Sequence, residues 1–199
     1  LVVAPWNYPY MTAINTVAPA LIAGNAVMLK HASQTPLVGE RMAAAFHSVG
    51  ISEDVFQNVF LDHQTTSALI ADRAFGFVNF TGSVGGGKAM EAAASATFTG
   101  IGLELGGKDP FVVLDDADLS QCVPMALRGA FQSCGQNCAG AERFYVQEKV
   151  HDAFVKRVML AANQLRQGWA LSPGVDCGAM CMPNQAAYVH ALVEDAGGK

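Results

Sequence analysis

The chain has 199 residues, of which 51% are hydrophobic and 15% charged, a composition that gives a packed core and excludes disorder. Seventeen acidic against twelve basic residues leave a net charge of −5 with no Lys/Arg run, which excludes the clustered positive charge that nucleic-acid binding needs. The most apolar stretch, Met11 to Met28, is broken by Thr12, Asn15, Thr16, Pro19, Gly24 and Asn25, so no transmembrane helix is expected.

In chain order, "LVVAP" reads as a strand end and residues 10–24 as an Ala-rich helix stopped at Gly24-Asn25. "AVMLK" (26–30) reads as a buried strand, 37–49 as an amphipathic helix, "QNVFL" (57–61) as a strand, 64–73 as a helix and "FGFVNF" (75–80) as a strand. The glycine-rich "TGSVGGGK" then opens a helix over 84–95. Strands near 101–105 and 111–114 precede a helix over 119–132 and a loop with two cysteines. Strand 143–147, helix 149–167, a Pro/Gly loop at 172–178 and helix 184–196 complete the pattern. Strands alternating with helices predict an α/β fold of parallel βαβ units. The one candidate domain junction lies near Gly106-Gly107. The opening "LVVAPWNYPY" lacks a starting Met and a signal-like n-region, and "LVEDAGGK" stops just past a helical pattern, so the chain is expected to be a segment of a longer protein.

Five cysteines are an odd count without a secretory signal, which points to a reduced, intracellular and cytoplasmic setting. Cys134, Cys138, Cys177 and Cys181 form two C-x₃-C pairs without a supporting His, a poor match to a zinc site, so no metal is expected. A redox pair favours C-x-x-C spacing instead. In "FQSCGQNCAGAERFYV" (131–146), Cys138 follows the flexible "GQN" and is the better nucleophile, whereas Cys134 ends a helical pattern and suits packing.

Parallel sheets bind ligands where strand ends meet helix starts, and "PWNYP" (5–9), "KHASQTP" (30–36) and "FTGSVGGGK" (80–88) occupy such positions. In the last, Gly82 lets the backbone turn, and Ser83 with the next N–H groups faces outward at a helix N-terminus suited to a phosphate. An ordinary glycine-rich turn is the competing reading. The stretch is not a P-loop, since Ala89 replaces the Ser/Thr that would hold Mg²⁺. Lys30, ending a strand, reads either as a snorkelling edge lysine or as a ligand contact. Asn7 either caps the following helix or points its amide into a cleft. Glu104, in "LELGGKDP", would be a buried carboxylate: a general base, or the structural partner of Lys108 or Arg143.

Together "PWNYP", "MLKHASQTP", "FTGSVGGGK", "LELGGKDPFVVLDDADL" and "SCGQNCAGAERFYV" resemble the aldehyde dehydrogenase superfamily, in that order and at similar separations. "GQNCAGAERFYV" and "GAMCMPN" look closest to a branch known from plants and fungi. The resemblance implies a parallel-sheet Rossmann-like cofactor domain, partial over 1–104, joined to an α/β catalytic domain, partial over 105–199. It implies NAD(P)-dependent oxidation of an aldehyde to a carboxylic acid. Cys138 would form a thiohemiacetal, stabilised by Asn7 and the Cys138 N–H. Hydride transfer to the nicotinamide would leave a thioester, and Glu104 would activate the water that hydrolyses it. Lys30 would reach the adenosine ribose, Gly82 and Ser83 the pyrophosphate, and Ala4, Pro5, Trp6 and Leu105 would line the cleft. Ser33 stands where many NAD-preferring members carry Glu three residues after the lysine, so NADP is expected to be tolerated alongside NAD. The later "E-x-F-G-P"-type segment is absent, and Leu171-Ser172-Pro173 replaces the usual Gly-Asp-Pro turn. The implied partners are a small aldehyde and further copies of the chain, as a homodimer or homotetramer. Three rival readings are an inactive, truncated dinucleotide-binding module, an esterase using Cys138, Asn7 and Glu104 without a cofactor, and the zinc module.

Overall fold

A computed structural model describes residues 1–197. The chain divides into two compact units, with the boundary between Gly106 and Gly107.

The first unit is a doubly wound sheet. Its elements run β1 (Val2–Val3), α1 (Pro9–Ile22), β2 (Val27–Lys30), α2 (Pro36–Ser48), β3 (Phe56–Val59), α3 (His63–Ala71), β4 (Phe77–Gly82), α4 (Val84–Ala94) and β5 (Gly100–Leu105). The five strands are parallel and ordered β3-β2-β1-β4-β5. Side chains alternate across a strand, so neighbours in sequence feed opposite faces. Val2, Ala4, Val27, Leu29 and Phe56 join Ala13 and Val17 of α1 and Met42 of α2 in one core. Val3, Val78 and Phe80 join Ile70 of α3 and Met90 and Ala94 of α4 in the other. Phe56 is fully buried, and that transfer alone contributes about 1.5–3 kcal/mol. Strands buried on both faces read as continuous apolar runs, which is why "LVVA" and "AVMLK" carry no alternation.

The order of the strands reverses at β1, with β2 on one side and β4 on the other. Crossovers therefore leave opposite faces there, and their loops part to open a crevice beyond the C-terminal ends of the strands. Val3 pairs with Lys30 and with Phe80, so β1 and β2 end level, while β4 and β5 run on together to Gly82 and Leu105.

The second unit contains β6 (Asp109–Val113), α5 (Leu119–Phe131), β7 (Ala141–Val146), α6 (Glu148–Ala162) and α7 (Gln185–Gly197). Strands β6 and β7 pair in parallel, and Val113, Val123, Ala126 and Phe154 form their core with α5 and α6. The helix expected over 149–167 ends five residues early. Its chain turns at Asn163, and Asp176 accepts from the Arg166 N–H at 2.9 Å and pairs with its guanidinium, committing 164–177 to a loop. The strands expected at 75–80, 57–61 and 143–147 lie at 77–82, 56–59 and 141–146, shifted by turn residues that an apolar run does not reveal.

Candidate active site

Three turns follow β1, β2 and β4, and they hold most of the residues singled out above. Ala4 and Pro5 are buried and Trp6 and Asn7 half-buried in the first turn, and the Ala4 N–H donates to the Lys30 carbonyl at 3.1 Å. Asn7 does not occupy the cap position. Tyr8 does, with φ 46° and ψ 49°, and gives no side-chain cap. Pro9 at the first helical position already lacks an N–H, so the helix needs less capping.

Lys30 is only 7% exposed, contrary to a snorkelling edge lysine. It ends an interior strand, flanked by β3 and β1. Burial pushes its ammonium below the usual lysine range, and the carboxylate of Asp62 partly opposes that shift. Among the described residues no carboxylate comes within ion-pair distance of it. Ser33 is exposed on the same turn, its hydroxyl donating to the Gln34 side-chain oxygen at 3.3 Å.

Ser83 is the N-cap of α4, its Oγ accepting from the Gly86 N–H at 3.1 Å. The N–H groups of Val84 and Gly85, at the first two helical positions, have no acceptor within the helix and lie at its positive end. A Cβ on Gly85 would meet nothing within 4 Å, so the space over this turn is open. Its neighbours are closed: a Cβ on Gly82 or Gly86 would lie 2.6 or 2.5 Å from the ring tip of Phe80, and one on Gly87 2.9 Å from Leu105. Phe80, two residues before the end of β4, therefore sits under the turn and dictates glycine at two positions.

Glu104 is exposed, which corrects the expected buried carboxylate. Strand β5 is the edge of the sheet, and Ile101, Leu103 and Leu105 take its packed face, leaving Glu104 on the other. The two proposed partners have other engagements within the second unit. Lys108 forms an ion pair with Glu142, and the Arg143 guanidinium donates to the Lys108 carbonyl at 2.7 Å.

In the second unit, α5 ends at Phe131 and the chain enters the left-handed region for three residues, Ser133 (φ 54°), Cys134 (φ 60°) and Gly135 (φ 73°). The half-buried Cys134 thiol donates to the Gly178 carbonyl at 3.2 Å. The Gln136 side chain spans two loops, donating to the Ser133 carbonyl and accepting from the Cys181 N–H at 2.9 Å. Asn137 turns the chain at Cys138: its Oδ1 accepts from the Ala139 N–H at 3.1 Å and its carbonyl from the Gly140 N–H. Cys138 is exposed, with its thiol directed at Asn137 Oδ1 over 3.9 Å. No acceptor takes its N–H among the described residues, which leaves that donor available beside the sulfur. All five cysteines are free thiols, and burial pushes the Cys177 thiol up, aided by Cys134. No group of three or more His, Cys, Asp or Glu among the described residues is arranged to hold a metal. No helix among them is long and apolar enough to cross a membrane.

The whole chain, residues 1–199, matches the model of the aldehyde dehydrogenase family. The chain belongs to the aldehyde dehydrogenase family. It is 38% identical over 194 residues to the probable succinate-semialdehyde dehydrogenase [NADP(+)] of Synechocystis sp., covering 98% of this chain and 43% of that protein. It is 39% identical over 168 residues to the succinate semialdehyde dehydrogenase [NAD(P)+] Sad of Escherichia coli, covering 84% and 36%. Among solved structures, the succinate-semialdehyde dehydrogenase of Burkholderia pseudomallei superposes with a TM-score of 0.94 at 31% identity, over 99% of this chain and 41% of that one. An NADP-dependent enzyme of E. coli gives 0.93 at 34%, over 98% and 41%. The chain thus spans less than half the length of these aldehyde dehydrogenase relatives. Ten of the eleven residues singled out lie at one edge of its Rossmann-like sheet, and Cys138 lies in the second unit. Sequence reasoning passed over His31, buried beside Lys30, although a histidine directly after a strand-end lysine was visible in "KHASQTP".

Proposed function

We propose that the complete protein carrying this chain oxidises an aldehyde to a carboxylic acid with NADP⁺ or NAD⁺. The carrying observation is Lys30: a desolvated cation without an ion pair among the described residues, on the sheet edge that also bears the open N-terminus of α4. A buried charge is costly unless something answers it, and a dinucleotide phosphate or ribose hydroxyl does so. The residues present therefore fit the cofactor. Lys30 and Ser33 would hold its adenosine ribose, with no carboxylate at Ser33 to repel a 2′-phosphate. Gly82, Ser83 and the N–H groups of Val84 and Gly85 would hold the pyrophosphate, with Ala4, Pro5, Trp6 and Leu105 lining the cleft.

The bound dinucleotide supplies the two-electron oxidant. The chain's own residues do the rest. The Cys138 sulfur attacks the aldehyde carbon, and the vacant N–H of Cys138 with the Asn7 amide stabilises the resulting oxyanion. After oxidation, Glu104 takes a proton from the water that cleaves the thioester. An exposed Glu104 suits this role, since the water must enter from solvent. Residues 1–104 belong to the cofactor-binding part and 105–199 to the nucleophile-bearing part, and the complete protein assembles as a homodimer or homotetramer. Because relatives of this chain are named succinate-semialdehyde dehydrogenases, a short aldehyde with a terminal carboxylate is the first substrate to assay.

The test is labelling by limiting iodoacetamide near neutral pH, resolved over all five cysteines, with and without NADP⁺, together with aldehyde oxidation by the complete protein. Preferential labelling of Cys138 that responds to NADP⁺, with turnover, supports the reading; uniform labelling, indifferent to cofactor, with no turnover, refutes it. A second reading concerns the 199-residue segment by itself. Since it spans 43% of a relative's length yet carries the sheet edge with Lys30, it would bind the dinucleotide without turnover.

A further inference from the structure

We infer that His31 is a positioning residue: as the neutral Nε2–H tautomer it ties the turn bearing Lys30 and Ser33 to the first turn of α1, directly behind Asn7. The inference rests on the function proposed above. The His31 ring is 6% exposed, and three hydrogen bonds fix it. Its Nδ1 accepts from the Ala32 N–H at 2.9 Å and from the Thr35 hydroxyl at 3.0 Å, and its Nε2 donates to the Pro9 carbonyl at 3.1 Å. The partners dictate the tautomer. An amide N–H can only donate and a carbonyl can only accept, so Nδ1 must be bare and Nε2 must carry the proton.

Thr35 gives an independent sign of the same design. It occupies the N-cap of α2, where a threonine hydroxyl ordinarily accepts from the helix's own N–H groups, yet it makes no such cap and turns to His31 instead. The turn over 31–35 is thus organised around the imidazole, with Ser33 and Gln34 left exposed at its tip. Backbone pairing joins the strands below, through the Ala4 N–H and Lys30 carbonyl, and the His31–Pro9 bond joins the turns above. Cofactor ribose contacts and the Asn7 amide are in this way set by one side chain that touches neither ligand nor substrate.

The two ends of the ring can be tested separately in the complete protein. In H31Q the longer amide keeps a donor for the Pro9 carbonyl and gives up the Nδ1 acceptor; in H31N the shorter amide keeps a local acceptor and cannot reach Pro9. NADP⁺ dissociation constants, by protein fluorescence, should rise about tenfold in H31N, the equivalent of one lost buried hydrogen bond, and no more than about threefold in H31Q, with kcat falling in H31N alone. T35V, which loses one donor to Nδ1 and keeps the Ala32 and Pro9 bonds, should lose no more than H31Q. Equal affinity in H31N and wild type, or equal losses in H31N and H31Q, would overturn the inference.

A pH series with NAD⁺, which lacks the titrating 2′-phosphate, supplies a readout that packing alone would not move. Burial and the neighbouring Lys30 charge hold His31 below the ordinary histidine range, opposed by the Pro9 bond. The charged groups acting here are Lys30, on His31 itself, and the Asp62 carboxylate, on Lys30. Protonation at Nδ1 would set a donor against the Ala32 N–H, so wild-type affinity should fall only on the acid side of the ordinary histidine range, and H31Q should lack that fall. An acid-side fall of the same size in H31Q as in wild type would also overturn the inference. A wild type that binds neither dinucleotide at any pH would overturn the proposed function, and this inference with it.

Discussion

The two glycine-rich stretches of this chain, 80–88 and 131–141, need their small residues for opposite reasons. In the turn after β4, glycine is a matter of space: the Phe80 ring lies under Gly82 and Gly86, and Leu105 under Gly87, while none of the three has a positive φ. In the cysteine loop, conformation is the issue, and two of the three left-handed residues are not glycine at all. A turn shaped by packing holds in place the N–H groups to which the pyrophosphate is proposed to bind. A loop held left-handed at Ser133 and Cys134 stores backbone strain of order 1–3 kcal/mol per residue, and such strain collects where a reactive group has to be aimed. The comparison separates a turn shaped by packing from one shaped by backbone conformation.

That contrast can be broken by substitution, beginning with the largest effect. Cys138→Ser in the complete protein should lower kcat for aldehyde oxidation by on the order of a thousandfold while leaving the thermal midpoint unchanged, because the thiol is exposed. Retained turnover would remove the nucleophile from this loop. Gly86→Ala should cost about 1–3 kcal/mol in urea unfolding through its clash with Phe80. Adding Phe80→Leu should recover part of that loss, and a double-mutant cycle with no coupling would show that the ring is not the cause. Cys134→Gly should be neutral or stabilise by up to about 1 kcal/mol, since relief of the positive φ outweighs one weak thiol contact. The smallest change is Gly85→Ala, within about 0.5 kcal/mol of wild type because its Cβ enters open space, although NADP⁺ should bind less tightly there. If Gly85→Ala and Gly86→Ala proved equally damaging, the packing explanation would fail.

Much of this architecture is legible in sequence because strands buried on both faces give unbroken apolar runs and the helices between them keep their own period. The three turns beyond β1, β2 and β4 are likewise visible, through Pro9, the "ASQTP" stretch and Gly82. What escapes reading is burial and direction. Glu104 sits in an apolar strand, yet β5 is the edge and its second face is open, a property of strand order and not of local composition. Lys30 looks like any strand-end lysine until β1 and β3 close on both sides of it. The left-handed run at 133–135 carries no signal, because Ser and Cys do not advertise positive φ as Gly or Asn would. His31 escapes because its three partners come from Pro9, Ala32 and Thr35, brought together by the sheet.

The buried Lys30 links this fold to its surroundings. Because its ammonium is held below the ordinary lysine range, the fold loses stability as pH falls from about 10.5 through the depressed value, and near neutrality the lysine weakens the free protein. An anion that answers the charge returns that stability by mass action. A phosphorylated dinucleotide seated at the proposed site would then slow proteolysis of the complete protein, a protection that limited digestion with and without NADP⁺ would read.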